Sequence, residues 1–547
     1  MGITDPAEFQ KVAKDYCKEM AVEMMLPAYM RIFSRINKRV DTQKEAFTRL
    51  TKKRDMISHV LKLTLEDEEI VDMFKLNFST DDSASKVNPD LSADKRNAGN
   101  SAFQKKKDKE ALDLYTEAVF AADVVTEAGT KDCALGLANR SAVWLKLKKY
   151  EECLDDIETA ILMKYPENML YKLVDRKAKC LAALGDADAA KKCYNRVILL
   201  LPQSGLDDTK QATWKKETNA EIVKLNEVKS VSWKPSRKDH DVSKLLPSPN
   251  KRVPQLSDAV ELAYNPLVGR HGVATRDIEA GEVLMVDTGL ASHLLCSTRL
   301  TNCCHCTVRL LDMTTAKPSP LTRTARFCSF QCIQEAMASY HPVEAKINIQ
   351  KMFWNKKEEH FEELSGNILL SYRCITQKPL NFFLDNQSDY ENVDDNFGVE
   401  FSDENDKLVW NDYRNIINLE AHRDRKTKDE LLSLTIRSVM FVILLRHGGY
   451  FGQKETPYGA TMSKAEATIA DIVFSIQEGI QYNLHQVCGV VSDSTLTGIA
   501  APRTVEFGSG LFPTLLLLNH SCDANTLRIN IDGAKVIPIL KNSEMDF

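Results

Sequence analysis

Apolar and charged positions alternate at helical spacing near the start of the chain, as at Leu26, Met30 and Phe33. Apolar residues that recur every three or four positions line one face of an α-helix. A polar stretch at 79–83 then interrupts the pattern. The pattern therefore predicts a helical N-terminal segment over 1–80 that ends in a short polar linker.

The region 92–202 repeats one arrangement of small residues. Ala111, Cys153 and Ala190 lie 42 and 37 residues apart. The same two intervals separate a second set, Ala118, Ala160 and Val197. Small residues at fixed intervals mark the crossings of paired helices, and these intervals resemble the period of about 34 residues in tetratricopeptide (TPR) repeats, with extra residues in the loops. We predict three TPR-like repeats; an ordinary helical bundle is the alternative.

Beyond the repeats the pattern changes three times. Residues 203–255 are rich in Lys, Ser and Pro and predict a linker. Short strand-like segments separated by glycines follow at 264–290. Helical spacing returns over 346–480, where an acidic stretch at 389–406 predicts an exposed loop, and short strands resume from Gly510. The predicted fold class is therefore α+β and multidomain.

The composition narrows the setting. A chain of 547 residues is too long for one core of ordinary domain size. A charged fraction of 27% and a net charge of −5 indicate a soluble globular protein with no overall attraction to nucleic acid or anionic membranes. Apolar stretches such as 439–445 fall short of the roughly 20 residues that cross a bilayer. We expect no membrane partner, no direct DNA binding, and a cytoplasmic or nuclear location in which the 14 cysteines stay reduced.

Two close cysteine pairs lie in one short stretch: Cys303 with Cys306, and Cys328 with Cys332. In a reducing compartment such a cluster argues for metal rather than disulfides. Four thiolates complete the tetrahedral shell that zinc prefers. Two alternatives stay open: Cys304 could replace Cys303, although its spacing to Cys306 is poorer, and the cysteines could be buried without metal.

A polar run directly follows an apolar stretch near the end of the chain. Residues 519–525 read NHSCDAN and come after the leucines at 515–518. Asn519 and His520 can donate and accept hydrogen bonds from a turn that the apolar stretch anchors, an arrangement that holds a small polar ligand at the edge of a core. A core histidine satisfied by its own neighbours is the plainer interpretation of His520.

The run resembles the signature of SET-domain protein-lysine methyltransferases. A GRHGV segment at 269–273, the cysteine-rich stretch, a helical insert and NHSC occur in the same order as in SET proteins that carry a MYND-type zinc finger. With the repeats, the chain resembles the TPR-containing branch of the SET-and-MYND family. The resemblance implies these divisions: a helical segment at 1–80, TPR-like repeats at 92–202, a linker at 203–255, the first part of the SET domain at 256–295, the finger at 296–345, a helical SET insert at 346–480, and the core SET region, incomplete at its C-terminus, at 481–547.

The resemblance implies a protein-lysine N-methyltransferase that uses S-adenosylmethionine, with a lysine-containing protein as its substrate. Methyl transfer needs a neutral lysine amine that is aligned opposite the methyl donor. Five residues fall on the family's donor-binding positions: Arg270, His271, Asn483, Asn519 and His520. Taken singly, Arg270 could be a surface charge and Asn483 a helix-end hydrogen bonder.

The finger departs from the MYND pattern in its second half. MYND fingers normally bind two zinc ions, but Ser319, Thr322 and Ala345 stand where three ligands of the second ion should be, and only His341 remains. We therefore predict one zinc ion, held by the complete set, Cys303, Cys306, Cys328 and Cys332.

The last part of the family pattern lies outside the sequence given. The family places a catalytic tyrosine and further zinc-binding cysteines after the NHSC segment, whereas this sequence ends at Phe547 and no cysteine follows Cys522. The catalytic residue is therefore unknown, and we expect the chain as given to be C-terminally truncated and catalytically poor. The alternative function is a noncatalytic adaptor that binds protein partners through its TPR and MYND modules.

The repeats carry cationic and amide side chains at equivalent helix positions. They match the carboxylate clamp with which TPR proteins hold the acidic C-termini of cytosolic chaperones, and they are Arg96, Asn100, Asn139, Lys172 and Arg176. A carboxylate needs several such donors in one groove. Chaperone C-terminal peptides are therefore a second predicted class of partner; solvated surface charges are the alternative.

Overall fold

The computed structural model describes residues 28–78, 90–235, 245–246, 248–267, 269–347, 362–391, 412–417, 419, 421–452, 457–492, 502–531 and 535–540. Over these residues the chain combines extensive helical regions with small antiparallel sheets. This composition agrees with the predicted α+β class.

Four helices form the first described region: α1 (Ala28–Asp41), α2 (Lys44–Thr48), α3 (Lys53–Leu65) and α4 (Glu68–Phe78). Ile32, Ile36 and Val40 recur every four residues on α1 and are buried. Their apolar faces share one core with helices from the second half of the chain. The N-terminal helices are thus a packed layer over the helical insert.

Three antiparallel helix pairs follow: α5 (Leu91–Gln104) with α6 (Asp108–Ala121), α7 (Glu127–Lys146) with α8 (Tyr150–Leu162), and α9 (Leu170–Ala183) with α10 (Ala187–Leu200). All six residues of the small-residue pattern are fully buried where helices cross. At Gly99 the helices approach so closely that an added Cβ atom would lie 2.6 Å from the Tyr115 ring. The first helices of the pairs, α5, α7 and α9, form one face of the array, and α6, α8 and α10 form the other.

Part of the predicted linker is helical. Helix α11 (Asp208–Leu225) begins with the Asp207 carboxylate accepting a hydrogen bond from the Lys210 backbone N–H at 2.9 Å. The Trp214 ring meets the Tyr171 ring edge to face at 5.0 Å. The linker prediction for 203–255 is therefore wrong over this stretch: a largely exposed, lysine-rich helix covers the end of the repeat array.

Strands from both sides of the finger and the helical insert pair with one another. The hairpin comprises β1 (Val260–Asn265) and β2 (Gly269–Ala274). Two three-stranded sheets join β3 (Asp287–Thr288) to β10 (Lys535–Leu540) and β9 (Thr526–Ile531), and β4 (Ala291–Leu294) to β8 (Pro502–Leu511) and β7 (His485–Ser492). Strands thus resume at β7, before the predicted position of Gly510. The sheets bring together segments that the insertions separate along the chain.

The finger is small and lies between these sheets and the repeats. It contains β5 (Lys317–Pro318), β6 (Arg326–Phe327), α12 (Phe330–Met337) and α13 (His341–Ala345). Its core includes Phe120 of the repeats and Phe507 of β8. On the insert side, the Arg373 guanidinium donates two hydrogen bonds, of 2.6 and 2.8 Å, to the buried Glu344 carboxylate.

The helical insert supplies most of the large core. Its helices are α14 (Glu362–Thr376), α15 (Leu380–Asp385), α16 (Gln387–Glu391), α17 (Arg414–Ile417), α18 (Lys428–Gly448) and α19 (Lys464–Asn483). Most of the predicted acidic loop, at 392–411, lies outside the described residues. By length and composition, one described helix, α18, could cross a membrane, but 83% of its most apolar stretch is buried in the protein. Such burial is typical of a core helix.

Candidate functional site

The β1–β2 hairpin lies against the turn that leads into the NHSC segment. Arg270, His271 and Gly272 lie on β2, which pairs antiparallel with β1. A Cβ atom added at Gly272 would lie 3.1 Å from Cδ2 of Leu518, the residue just before the NHSC run, and 3.1 Å from Cγ1 of Val260. The absence of a side chain at Gly272 permits this close approach. Two stretches that are far apart in sequence therefore share one surface.

A buried carboxylate holds the turn that leads into the NHSC segment. Asp287 is fully buried, and its Oδ2 accepts hydrogen bonds from the backbone N–H groups of Thr514 at 2.8 Å and Leu515 at 3.0 Å. These N–H groups begin the 3-10 turn Leu515–Leu517 and need acceptors from outside it. Burial raises the pKa of Asp287 to about 6, so the group is ionised at neutral pH.

Arg270 reaches the helical insert. Its Nη1 donates a hydrogen bond to Oδ1 of Asn415 on α17 at 3.1 Å. Asn415 is only 4% exposed, and within the described residues its Nδ2 has no hydrogen-bond partner. Because buried amide donors normally find an acceptor, a donor left over beside Arg270 fits a polar ligand.

Asn483 approaches the same part of the insert. It ends α19, where its Nδ2 donates to the Gly479 carbonyl oxygen at 2.8 Å, a helix-end interaction. A Cβ atom added at Gly479 would lie 2.7 Å from Cβ of Leu419. Leu419 lies just after α17, so the end of α19 packs beside the helix whose Asn415 contacts Arg270.

The NHSC side chains face outward. Asn519 and His520 are exposed, and Nε2 of His520 lies 3.3 Å from Sγ of Cys522. His520 is therefore not a core histidine. On β2, Nδ1 of His271 lies 3.0 Å from the Gly269 carbonyl oxygen. The structure brings Leu518, the residue before the NHSC run, to the hairpin and leaves the Asn519 and His520 side chains exposed.

The four cysteines of the finger converge. Within 4.8 Å of one another lie the sulfur atoms of Cys303, Cys306, Cys328 and Cys332. Sγ of Cys328 is 3.6 Å from that of Cys306 and 3.5 Å from that of Cys332. A tetrahedron with zinc–sulfur bonds of about 2.3 Å has sulfur–sulfur edges of roughly 3.8 Å, so the spacing fits zinc. Hydrogen bonds from the neighbouring thiols lower the pKa of Cys328.

Local backbone structure fixes these sulfurs. A tight turn forms around the first pair, with the Thr307 backbone N–H donating to the Cys303 carbonyl oxygen at 2.9 Å. The second pair is fixed at the start of α12, where Oγ of Ser329 accepts from the Cys332 backbone N–H at 3.2 Å. Cys304 lies outside the cluster, since its Sγ donates to a backbone carbonyl oxygen 3.7 Å away.

Hydrogen bonds occupy the place where the MYND resemblance puts a second ion. Oγ of Ser319 lies 2.7 Å from Nε2 of His341, and both residues are buried. The same Oγ accepts from the backbone N–H groups of Leu321 at 3.0 Å and Thr322 at 3.1 Å. Burial lowers the pKa of His341 to about 3. The neutral ring therefore accepts a hydrogen bond from the Ser319 hydroxyl group, so these polar atoms have partners without a metal ion.

The predicted clamp residues lie on the first helices of the three pairs. Oδ1 of Asn100 accepts hydrogen bonds from the Tyr115 hydroxyl and from Nδ2 of Asn139, both at 2.8 Å. Nη1 of Arg176 donates to the Ala138 carbonyl oxygen at 2.7 Å.

The two outer members of the clamp set differ in their contacts. Arg96 pairs with Asp132 at 3.4 Å, whereas Nζ of Lys172 lies over the Tyr171 ring, 5.7 Å from its centroid. The set thus follows one face, and contacts within the array already engage most of its donors.

Asp287 and Asn415 are site residues that the sequence analysis missed. Their partners lie far along the chain: 227 residues separate Asp287 from Thr514, and 145 separate Arg270 from Asn415. Neither residue belongs to a short motif. The one available signal was the charged Asp287 between the apolar stretch 284–286 and a glycine turn.

Sequence comparisons connect the chain to methyltransferases. The protein-lysine N-methyltransferase SMYD4 of Pongo abelii is 26% identical over 497 residues, covering 79% of this chain and 59% of the relative. SMYD4 of Homo sapiens is 27% identical over 486 residues, with the same two coverages. SMYD4 of Mus musculus is 30% identical over 283 residues, covering 46% of this chain and 33% of the relative. The chain thus spans about three fifths of the first two relatives.

Two further comparisons add little. No protein-family model matches the chain. The first TPR domain of human RPAP3, solved by NMR, is 22% identical and covers 25% of this chain and 98% of the domain, but its TM-score of 0.20 carries no structural weight. The relationship therefore rests on the SMYD4 sequences, to which this chain is similar over most of its own length.

Proposed function

We propose that the protein is a protein-lysine N-methyltransferase that uses S-adenosylmethionine, with the donor site between the β1–β2 hairpin, the region around α17 and the NHSC segment. The observation that carries the proposal is the close contact of Gly272 with Leu518, which joins two of the donor-binding segments. The unpartnered Nδ2 of Asn415 beside Arg270 supports a polar ligand at that place.

When bound, S-adenosylmethionine supplies an electrophilic methyl group for a neutral lysine amine. Arg270 and Asn415 offer N–H donors from the hairpin and insert sides. Asn519 and His520 offer donors and acceptors from the third side. The Asp287 carboxylate positions the turn from beneath, so these exposed side chains rest on a rigid support. His271 and Asn483, already hydrogen-bonded to their own elements, contribute the outer part of the site.

We also propose one zinc ion, bound by the four converging cysteines, as a structural element of the finger. The donor set fits, because all four sulfurs lie within 4.8 Å and no described histidine or carboxylate completes a second group of this kind. When bound, the ion holds together a module whose own core is small. The Ser319–His341 hydrogen bonds stabilise the other half.

Equilibrium dialysis with labelled S-adenosylmethionine tests the donor site without requiring catalysis. We expect binding by the 547-residue chain, weakened about tenfold in each of Asn519→Ala and Arg270→Ala because each loses a hydrogen bond to a polar ligand. Asn219→Ala, an exposed asparagine on α11, is the matched control and should bind as the wild type does. A chain that binds none, or variants that all bind equally, would refute the donor site.

The alternative function, a noncatalytic adaptor, has its own support in the repeats. The clamp set lies on α5, α7 and α9, whereas the finger's contacts with the repeats go to other residues, which are Phe120, Asp123, Arg140, Asp155 and Asp156. The clamp residues are therefore not the ones that the finger engages, and an acidic C-terminal peptide is the proposed ligand of these residues. Methyl transfer from labelled donor to a lysine-containing protein separates the two functions: transfer favours the enzyme, and peptide binding without transfer favours the adaptor.

A fluorescent peptide that ends in Glu-Glu-Val-Asp tests the clamp. We expect Lys172→Ala to weaken binding about fivefold, since a charged donor to the carboxylate is lost. The same peptide with a C-terminal amide is the control and should bind much more weakly. Equal binding of acid and amide forms would show that no carboxylate clamp exists.

A further inference from the structure

A fully buried ion cluster joins the repeats to the finger. The Arg140 guanidinium, from α7, donates two hydrogen bonds of 2.7 Å to the Asp156 carboxylate of α8. Nζ of Lys317, on β5 of the finger, lies 2.9 Å from the same carboxylate. All three side chains are at most 1% exposed. Nη2 of Arg140 also donates to the carbonyl oxygen of Ala316 in the finger at 3.0 Å.

The neighbouring acid on the same repeat helix reaches the metal-binding part of the finger. The Asp155 carboxylate accepts a hydrogen bond from the backbone N–H of Phe330, the first residue of α12. This helix carries Cys332 and directly follows Cys328. A carboxylate at a helix N-terminus satisfies a free donor and interacts favourably with the helix dipole. A residue of the repeats therefore supports the element that presents two of the four sulfurs.

Two contacts at the edge complete the interface. Nε of Arg323 donates to Oδ1 of Asp123 at 2.7 Å. The Arg326 guanidinium lies over the Phe120 ring, 4.3 Å from its centroid. Both arginines belong to the finger, and both partners belong to the end of the first repeat, so the finger contacts two successive repeats.

The buried charges at this interface need partners from both the finger and the repeats. Lys317 is stable in the interior because Asp156 and the Thr315 carbonyl oxygen pair with it. Separation of the finger from the repeats would leave Asp156 with one cation instead of two and would return Lys317 to water. A buried ion pair is strongly destabilised when one of its partners is removed. The contacts of Lys317 with Asp156 and of Arg140 with Ala316 therefore exist only in the docked state.

We propose that the second TPR-like repeat is the outer support of the finger's metal site, so that zinc retention and docking of the repeats are one linked equilibrium. The inference rests on the proposed zinc site. Linkage requires that whatever docking adds to zinc affinity, zinc adds to docking. The repeats thereby stabilise the first half of the finger, beyond what its four cysteines supply.

The forward test is the rate at which a chromogenic chelator removes zinc from the zinc-loaded full chain. Lys317→Met removes the finger's charge but leaves the Arg140–Asp156 pair intact within the repeats. We expect zinc release about tenfold faster than in the wild type, a typical size for coupling between two sites. Lys177→Met is the matched control, because Lys177 pairs with Glu158 within the repeats. This variant should release zinc at the wild-type rate.

The reverse test uses the unaltered chain. Removal of zinc should speed amide hydrogen exchange in α8, which packs against α12 of the finger, more than in α10, which packs against α9 and α11. Circular dichroism shows whether Lys317→Met folds, and elemental analysis shows whether it binds zinc. Equal zinc release in folded, zinc-loaded Lys317→Met and wild type, or α8 exchange that is indifferent to zinc, would overturn the inference. A wild-type chain that binds no zinc would instead refute the zinc site itself.

Discussion

The four-cysteine cluster of the finger and the NHSC segment at 519–525 hold their polar groups in place in different ways. In the finger the candidate metal ligands lie close together: the four cysteine sulfur atoms are within 4.8 Å of one another, and each pair comes from a short stretch of sequence. In the proposed donor site the residue that holds the turn, Asp287, is buried, whereas the candidate donor-binding residues Asn519 and His520 are exposed. A metal site can therefore be local in sequence, whereas a site for a larger ligand is assembled from distant segments.

Removal of one zinc ligand should give the largest effect. Cys328→Ser takes away a thiolate, and structural zinc contributes about 10–16 kcal/mol to folding in small zinc-binding peptides. We expect the purified chain to fall from one bound zinc to none by elemental analysis, with increased protease sensitivity in the finger. Cys304→Ser is the control, because Cys304 is buried next to the cluster but is not part of it. This variant should keep its zinc. Full zinc content in Cys328→Ser would contradict the site.

Loss of the support beneath the donor segment should have the next largest effect. Asp287→Ala leaves the Thr514 and Leu515 backbone N–H groups buried without an acceptor, and we expect the free energy of unfolding to fall by about 3 kcal/mol in denaturant titration.

Asp287→Asn is the matched control for that substitution. Its amide oxygen can still accept a hydrogen bond, so we expect a loss of only about 1 kcal/mol. If Asp287→Ala and Asp287→Asn were equally stable, the carboxylate would not be what positions the turn.

Much of the finger and the repeats could be predicted from sequence, because their signals are periodic or local. The cysteine pairs identified the convergent cluster, and small residues at two fixed intervals identified the buried helix crossings. Helix α11 was missed because Thr218 and Leu225 are its only residues classed as buried, so it has no apolar stripe.

The donor region was harder to predict. Asn519 and His520 were recognisable as a motif, but the contact of Arg270 with Asn415 joins residues 145 apart, and no local spacing encodes it. The sheet topology explains this difference: β8 and β10 pair with β4 and β3, strands that precede the finger in sequence.

The hydrogen-bonded half of the finger should respond more weakly than the metal half. Ser319→Ala leaves His341 and two backbone N–H groups without their shared partner. We expect the free energy of unfolding to fall by about 2 kcal/mol, which thermal denaturation would show as a lower midpoint. Zinc content should not change. Leu311→Ala, at a residue of the finger that is 86% exposed, should leave the midpoint unaltered. Loss of zinc in Ser319→Ala would mean that the Ser319–His341 half of the finger is needed for metal binding by the four-cysteine half.

Photocrosslinking with labelled S-adenosylmethionine, followed by peptide mapping, tests the central claim most directly. If the hairpin, the α17 region and the NHSC segment form the donor site, the label should appear in peptides that contain 269–274, 412–417 and 519–525, and excess unlabelled donor should abolish it. Competable label that falls only in other peptides, or no competable label at all, would contradict the account.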